Sequence, residues 1–278
     1  MIKKVYIVNA KGEKEYFSLS KVYRSARRVG ASPSFAKEIS EKIEKEVFPE
    51  MKTSEIFSKV KKMLLGKKKK LAIKFSLKRA MRKLGPTGFP FEKYIGSILS
   101  KKGFKIKLNQ IVKGRCCSYE IDFIAEKDNI FYIGECKYRN LSGGRVHSQI
   151  ALSNYARFLD IKKGKIFNGK NKTKSILVTN TKFTTKAIKY SKCIGVDLLG
   201  WNYPKNRGLE SIIDKEEFYP ITILKSLRKD ISDVFVSKKI MLVGDLLELD
   251  IKKFAKENHI SISYLSSLLR DAKLLTKK

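Results

Sequence analysis

One stretch of the chain, Glu120-Ile121-Asp122-Phe123-Ile124-Ala125-Glu126-Lys127-Asp128-Asn129-Ile130-Phe131-Tyr132-Ile133-Gly134-Glu135-Cys136-Lys137, constrains the fold more than any other. Both flanks are rich in Ile, Phe and Tyr, which suit a pleated, half-buried surface. Asp128-Asn129 between them tolerates the left-handed backbone of a two-residue turn. The stretch therefore predicts a β-hairpin. With that pair as the turn, Lys127 meets Ile130, Ile124 meets Ile133 and Asp122 meets Glu135. Opposed residues on one sheet face have Cβ atoms roughly 5 Å apart. Glu135 and Lys137, two apart on one strand, share a face.

Two facing carboxylates repel unless a cation lies between them, and all-oxygen ligation favours Mg²⁺ or Mn²⁺ over zinc. Such an ion polarises a phosphoryl oxygen and lowers the pKa of a bound water, while the Lys137 ammonium stabilises charge growing on phosphate or orients the attacking water. Asp122, Glu135 and Lys137 thus suit metal-assisted hydrolysis of a phosphodiester with no covalent enzyme intermediate. The same spacing also describes a solvated strand face with cross-strand ion pairs. What favours chemistry is that Glu135 and Lys137 continue a stripe begun by Phe131 and Ile133, which are expected in the core.

Asp122 followed by Glu135-Cys136-Lys137 resembles the motif of the PD-(D/E)XK, or restriction-endonuclease-like, nucleases, in particular the Mrr-type branch that carries an N-terminal ATP-cone. Leu84-Gly85-Pro86-Thr87-Gly88-Phe89-Pro90-Phe91-Glu92 is also similar to the sequence that opens the nuclease domain in that branch. The resemblance implies that Asp122 and Glu135 hold a divalent ion, with the Cys136 carbonyl as a further ligand, and that Lys137 completes the site. It also implies that Glu92 on the preceding helix assists, and that Gln149, on the amphipathic stretch Ser148–Phe158, borders the active site. Glu92 is equally a helix-start carboxylate favoured by the macrodipole, and Gln149 equally a polar residue on an exposed helix face.

The formal net charge is +34, from 61 Lys and Arg against 27 Asp and Glu, and so positive a surface attracts polyanions. Nucleic acid is the expected partner, and the nuclease resemblance implies DNA. No apolar run of about 18 residues, signal peptide or lipidation motif is present, so a membrane partner is not expected and a cytoplasmic location is. The four cysteines (Cys116, Cys117, Cys136, Cys193) form no Cys-x-x-Cys pattern and the two histidines, His147 and His259, are isolated, which argues against zinc and a disulfide framework.

At the N-terminus, residues 2–9 alternate apolar and polar, Lys11-Gly12 supplies a turn, and Glu13–Leu19 completes a short hairpin. Helical stripes follow at Phe35, Ile39, Ile43 and Val47, at Ile56, Val60, Met63 and Leu64, and at Leu77, Ala80, Met81 and Leu84. Hairpin plus helices is similar to the ATP-cone, a nucleotide-sensing regulatory domain. The resemblance implies ATP or dATP as a regulatory ligand held by Lys11, Gly12 and Lys21. The family's Lys-Arg-Asp-Gly turn is here Asn9-Ala10-Lys11-Gly12, lacking its first two cations. From Met51 to Gly85 there are thirteen basic residues and one acid, Glu55, which reads as a phosphate-tracking face or as solvated helix surface.

Downstream, Lys174–Asn180 and Gly195–Trp201 read as strands flanking a helix near Thr184–Lys192, a βαβ pattern that implies parallel pairing. Asn202–Gly208 reads as a linker, and the remainder has helical spacing. Val243–Leu275 thinly resembles helix-hairpin-helix DNA-binding units, without their Gly-x-Gly, and is equally read as a structural or dimerising bundle.

The fold class expected is therefore an α/β multidomain chain: a small α-rich ATP-cone-like domain over 1–85, a restriction-endonuclease-like mixed sheet with flanking helices over 86–205, and a C-terminal helical domain over 206–278. The expected activity is that of a Mg²⁺-dependent, restriction-type DNA endonuclease. A structure-specific repair nuclease and a non-catalytic, nucleotide-responsive regulator that binds nucleic acid are the alternatives. Cutting both strands with one site per chain would suit a homodimer.

Overall fold

The computed structural model describes residues 5–85, 89–140, 143–164 and 172–276. It forms two compact units, Met1–Arg79 and Ala80–Lys278.

In the first unit β1 (Tyr6–Val8) pairs antiparallel with β2 (Lys14–Tyr16), and α1 (Leu19–Arg28), α2 (Pro33–Glu46), α3 (Thr53–Lys67) and α4 (Lys69–Arg82) follow. Helix α4 continues into the second unit. Residues 2–4 of the expected hairpin lie outside the described residues. The starts of α1 and α2 are written in sequence: the hydroxyls of Ser18 and Ser32 accept from the Lys21 and Phe35 N–H groups, and Pro33 occupies the first turn of α2. The helical stripes become core. Ile39 and Ile43 are fully buried, and Val60 and Leu64 of α3 join them together with Ala26 of α1.

In the second unit the end of α4 is followed by α5 (Phe89–Lys101); Pro86, Thr87 and Gly88 of the motif-like stretch before it lie outside the described residues. Then come β3 (Lys105–Lys113), β4 (Ser118–Lys127), β5 (Ile130–Lys137), β6 (Arg145–Val146), α6 (Ser148–Lys162), β7 (Thr173–Thr179), β8 (Lys182–Phe183), α7 (Thr185–Ile194) and β9 (Asp197–Leu199). The main sheet has the order β3-β4-β5-β7-β9. Its β3-β4-β5 part is antiparallel, whereas β5, β7 and β9 run parallel because α6 and α7 carry the chain back across the sheet. Phe158 and Ile161 of α6 pack with Val112, Ile121 and Ile133 of the sheet, and Ala187 of α7 packs with Leu177 and Leu198.

Helices α8 (Leu209–Glu216), α9 (Lys229–Ser237), α10 (Val243–Leu247), α11 (Ile251–Glu257) and α12 (Ile262–Lys273) complete the chain, with a 3₁₀ turn at Ile221–Ile223. The residues after the 202–208 stretch share one compact unit with the sheet. Tyr94 of α5 donates its hydroxyl to the Phe218 carbonyl at 2.7 Å, and Lys93 reaches the Val236 carbonyl at 3.0 Å. The fold is mixed α/β around a central mixed sheet. Among the described residues no helix is long and apolar enough to cross a membrane.

Candidate active site

The β4–β5 hairpin turns on Asp128 and Asn129, at φ 53° and 58°, the pair of left-handed conformations that a type I′ turn requires. From it the register runs through Lys127↔Ile130 and Ile124↔Ile133 to Phe123↔Gly134, as the sequence predicts. One step further, where Asp122 comes opposite Glu135, the ladder stops. Asp122 Oδ2 instead accepts from the Cys136 backbone N–H at 2.6 Å. On its other side the β3–β4 ladder skips the same residue: Leu108 pairs with Phe123 and Gln110 with Ile121, while Asn109 between them takes a left-handed φ of 51°. Local breaks of this kind re-aim a side chain away from regular strand alternation.

Gly134 allows the approach. A Cβ there would stand 2.1 Å from Cζ of Phe123, so the fully buried ring lies directly over the glycine. The next residue, Glu135, is itself buried at 5% exposure. Its Oε1 is 2.6 Å from Lys137 Nζ and its Oε2 2.8 Å from Arg157 Nη1. Arg157 also donates to the Glu120 carbonyl at 3.2 Å. The Lys137 backbone is held from β7: the Thr179 hydroxyl donates to its carbonyl at 2.6 Å. Asn180 then clasps Arg139 by accepting from its N–H at 2.9 Å and donating to its carbonyl at 2.8 Å.

Glu92, in the first turn of α5, is half-buried. Burial above all, then the charges of Asp122, Glu135 and Glu120, pushes its carboxyl up to about 7, with Lys137 opposing. Burial and the Glu135 charge push Asp122 up to about 6, against the Cys136 N–H, Lys137 and Arg157. The Cys136 thiol is buried and driven upward chiefly by that burial, so it stays neutral.

Four carboxylates, Glu92, Glu120, Asp122 and Glu135, therefore share the fields of two cations, Lys137 and Arg157. Glu92 and Asp122 are held above their ordinary range, and a divalent cation beside them would bring them back down. Among the described residues no three His, Cys, Asp or Glu side chains form a ready ion cage. Mg²⁺ does not require one, because it is commonly bound by one or two carboxylates together with waters and substrate phosphate oxygens. Asp122 and Glu135 are the carboxylates that could lend oxygens to such an ion, and both Glu135 oxygens are already paired with cations.

Arg157 is absent from the sequence-derived site. Its signal was a cation between Asn154 and Phe158, both on the buried side of α6. Gln149, expected to border the site, is exposed in the first turn of α6, and among the described residues no hydrogen bond joins it to these acids. His147 precedes that helix and is exposed.

In the first unit Gly12 turns the β1–β2 hairpin at φ 84°, and the Asn9 side-chain oxygen accepts from the Lys11 and Glu13 N–H groups at 2.8 and 3.2 Å. Lys11 Nζ lies 3.9 Å from Glu13, and Lys21 Nζ 3.5 Å from Glu15. Both lysines are exposed, so each keeps its charge toward solvent while leaning on a neighbouring acid. Of the basic stretch, Lys52, Lys59, Lys62, Lys67, Lys68, Lys69 and Lys83 are exposed.

Residues 219–276 match the family described as AF1548-like, C-terminal. A protein of Archaeoglobus fulgidus described as uncharacterized is 35% identical over 178 residues, 63% of this chain and 96% of that one. The crystal structure of the protein of unknown function AF1548 superposes with a TM-score of 0.59 at 32% identity, covering 67% of this chain and 97% of that one. With the match extending along 96% of the Archaeoglobus relative, the chain belongs to the AF1548-like family.

Proposed function

We propose that this protein is a Mg²⁺- or Mn²⁺-dependent endonuclease that hydrolyses phosphodiester bonds in DNA, and that it resembles the PD-(D/E)XK nucleases in mechanism. One observation carries the reading: Asp122, Glu135, Glu92 and Lys137 converge at the end of the β4–β5 hairpin, in a setting that lifts Glu92 to about 7 and Asp122 to about 6. Acids raised by burial together with neighbouring like charge gather at functional sites, and Glu92 and Asp122 are raised by both. The net charge of +34 supplies a surface for a polyanionic substrate.

In this reading Asp122 and Glu135 would hold the ion, which when bound would supply Lewis-acid polarisation of the phosphate and a more acidic water. Lys137 stabilises charge growing on the phosphoryl oxygens. Glu92, which shares the field of Asp122 and Glu135 from the first turn of α5, would take the proton from the attacking water. The basic helical stretch tracks phosphates and positions DNA without reading sequence. A restriction-type cut of both strands needs two such sites, which a homodimer supplies. The first unit, through Lys11, Gly12 and Lys21, is a nucleotide-responsive module for ATP or dATP.

The test is a supercoiled plasmid incubated with purified protein and Mg²⁺, with EDTA as control. Wild type is expected to nick or linearise it. Asp122→Ala is expected to abolish cutting, and Lys137→Ala to slow it by roughly 10²–10³-fold. Salt-sensitive retardation of the plasmid with no cutting would replace the nuclease by a nucleic-acid-binding regulator.

A further inference from the structure

We infer that α11, the turn after it and α12 form a helix-turn-helix that lays α12 in the major groove of duplex DNA, where Ser263, Ser266, Ser267 and Arg270 read base edges. The inference shares its partner with the nuclease reading but concerns a separate surface and needs no cleavage.

The turn is the starting point. Helix α11 ends at Glu257 and α12 begins at Ile262, leaving Asn258, His259, Ile260 and Ser261 between them. His259 adopts a left-handed φ of 52°, the conformation that lets a chain leave one helix and enter the next sharply. The Ile260 N–H returns to the Ala255 carbonyl at 3.0 Å, and the Ile260 side chain is buried. Ser261 caps α12 by accepting from the Tyr264 N–H. Phe254 and Ala255 of α11 and Leu265, Leu268 and Ala272 of α12 are buried, and α12 packs on both α10 and α11.

A second flank of α12 is also occupied. The Tyr264 hydroxyl donates to the Ser226 carbonyl at 2.8 Å and accepts from the Arg228 N–H at 2.9 Å. Asp271 accepts from the Ser226 hydroxyl at 2.8 Å. The remaining face carries Ser263, Ser266, Ser267 and Arg270, spaced i, i+3, i+4 and i+7, with Ile262 51% exposed at its leading end.

This face has the chemistry of a reader of base edges. Serine hydroxyls donate and accept in the groove, arginine pairs bidentately with guanine, and an exposed aliphatic side chain meets the thymine methyl. A face built to join another protein would instead carry aromatic residues and methionine at its centre. Across Ile251–Thr276, Lys252, Lys253, Lys256, Arg270 and Lys273 outnumber Glu257 and Asp271. Lys252, Lys253 and Lys256 are exposed on α11, the helix that crosses the phosphate backbone in such a docking. The family match over 219–276 spans this whole module.

The experiment is duplex selection from a randomised library by the full-length chain in EDTA, so that cutting plays no part. Wild type is expected to enrich duplexes sharing a short motif. Arg270→Ala is expected to bind the selected duplex roughly 5- to 150-fold more weakly and to lose preference at a base pair. Ser263→Ala combined with Ser267→Ala should change the selected motif as well. Lys253→Ala should weaken all duplexes alike and reduce the salt slope by about 1. Ser263, Arg270 and Lys253 are exposed and Ser267 is half-buried, and melting midpoints close to wild type serve as the control for folding. A bound pool without a shared motif, an unchanged motif in both reading-face variants, or tighter binding to single-stranded RNA than to any duplex would overturn the inference.

Discussion

Arg157 of α6 donates through one nitrogen, Nη1, to the Glu135 carboxylate of β5 at 2.8 Å and to the Glu120 carbonyl of β4 at 3.2 Å. One guanidinium thus ties the helix to both strands of the hairpin and occupies one oxygen of the central acid. Lys137 occupies the other. Because Glu135 is buried, its two cations act as a balance: weakening one commits the other more firmly.

Arg157→Ala therefore has two expected effects. Stability falls by about 1–3 kcal/mol, because a buried carboxylate loses a charged hydrogen bond while keeping Lys137. Cleavage falls roughly ten- to a hundredfold, as for outer partners of a metal ligand. Urea denaturation and plasmid cutting measure the two, and Arg157→Lys, which keeps charge but not planar geometry, should lie between.

The raised acids predict a pH signature. The proton affinities of Glu92 and Asp122 in the fold exceed those of free carboxyls, so the stability they contribute is complete below about pH 4 and is lost as pH rises through about 6 for Asp122 and about 7 for Glu92. Glu92→Gln should accordingly raise stability at pH 8 by about 1 kcal/mol, a figure reduced for the solvent screening of a half-exposed group. At pH 5 the gain should vanish. Mg²⁺ should raise the melting temperature of wild type at pH 8 and not that of Asp122→Asn. Thermal melts with and without Mg²⁺ at both pH values decide it; a wild-type melting temperature insensitive to Mg²⁺ would refute the ion site.

Gly134→Ala should cost about 1–3 kcal/mol, because its methyl would meet the buried Phe123 ring at 2.1 Å. Displacing Phe123 also disturbs Asp122 beside it, so cutting should drop alongside stability. Phe123→Leu, which shortens the obstructing side chain, should recover part of the stability in the double variant, read as a non-additive denaturation cycle.

For the first unit, calorimetric titration with ATP and dATP should give saturable heat, reduced in Lys21→Ala. No heat at millimolar nucleotide would leave the hairpin and its helices as a packing module.

The hairpin was legible in sequence because its determinants are local. Asp128-Asn129 sets the turn, alternation sets the face, and the register follows by counting. The helical stripes and the parallel β7–β9 pair were legible for the same reason, since periodicity and crossover length are properties of adjacent residues. Other features of the site are not local. Asp122 leaves its ladder opposite Asn109 of β3, Arg157 arrives from α6, and Gln149 at the other end of that helix remains exposed. Contact across elements depends on helix rotation and packing, which no short pattern encodes.

The sequence by itself determined the elements, the turn and the residue types gathered on one hairpin, because propensity, alternation and turn chemistry act between near neighbours. Only the tertiary structure decided what those residues experience: the burial that lifts Glu92 and Asp122, and the two cations that hold Glu135. Electrostatic energies depend on distance and dielectric, and both are set when α5, α6 and the sheet close around the charges.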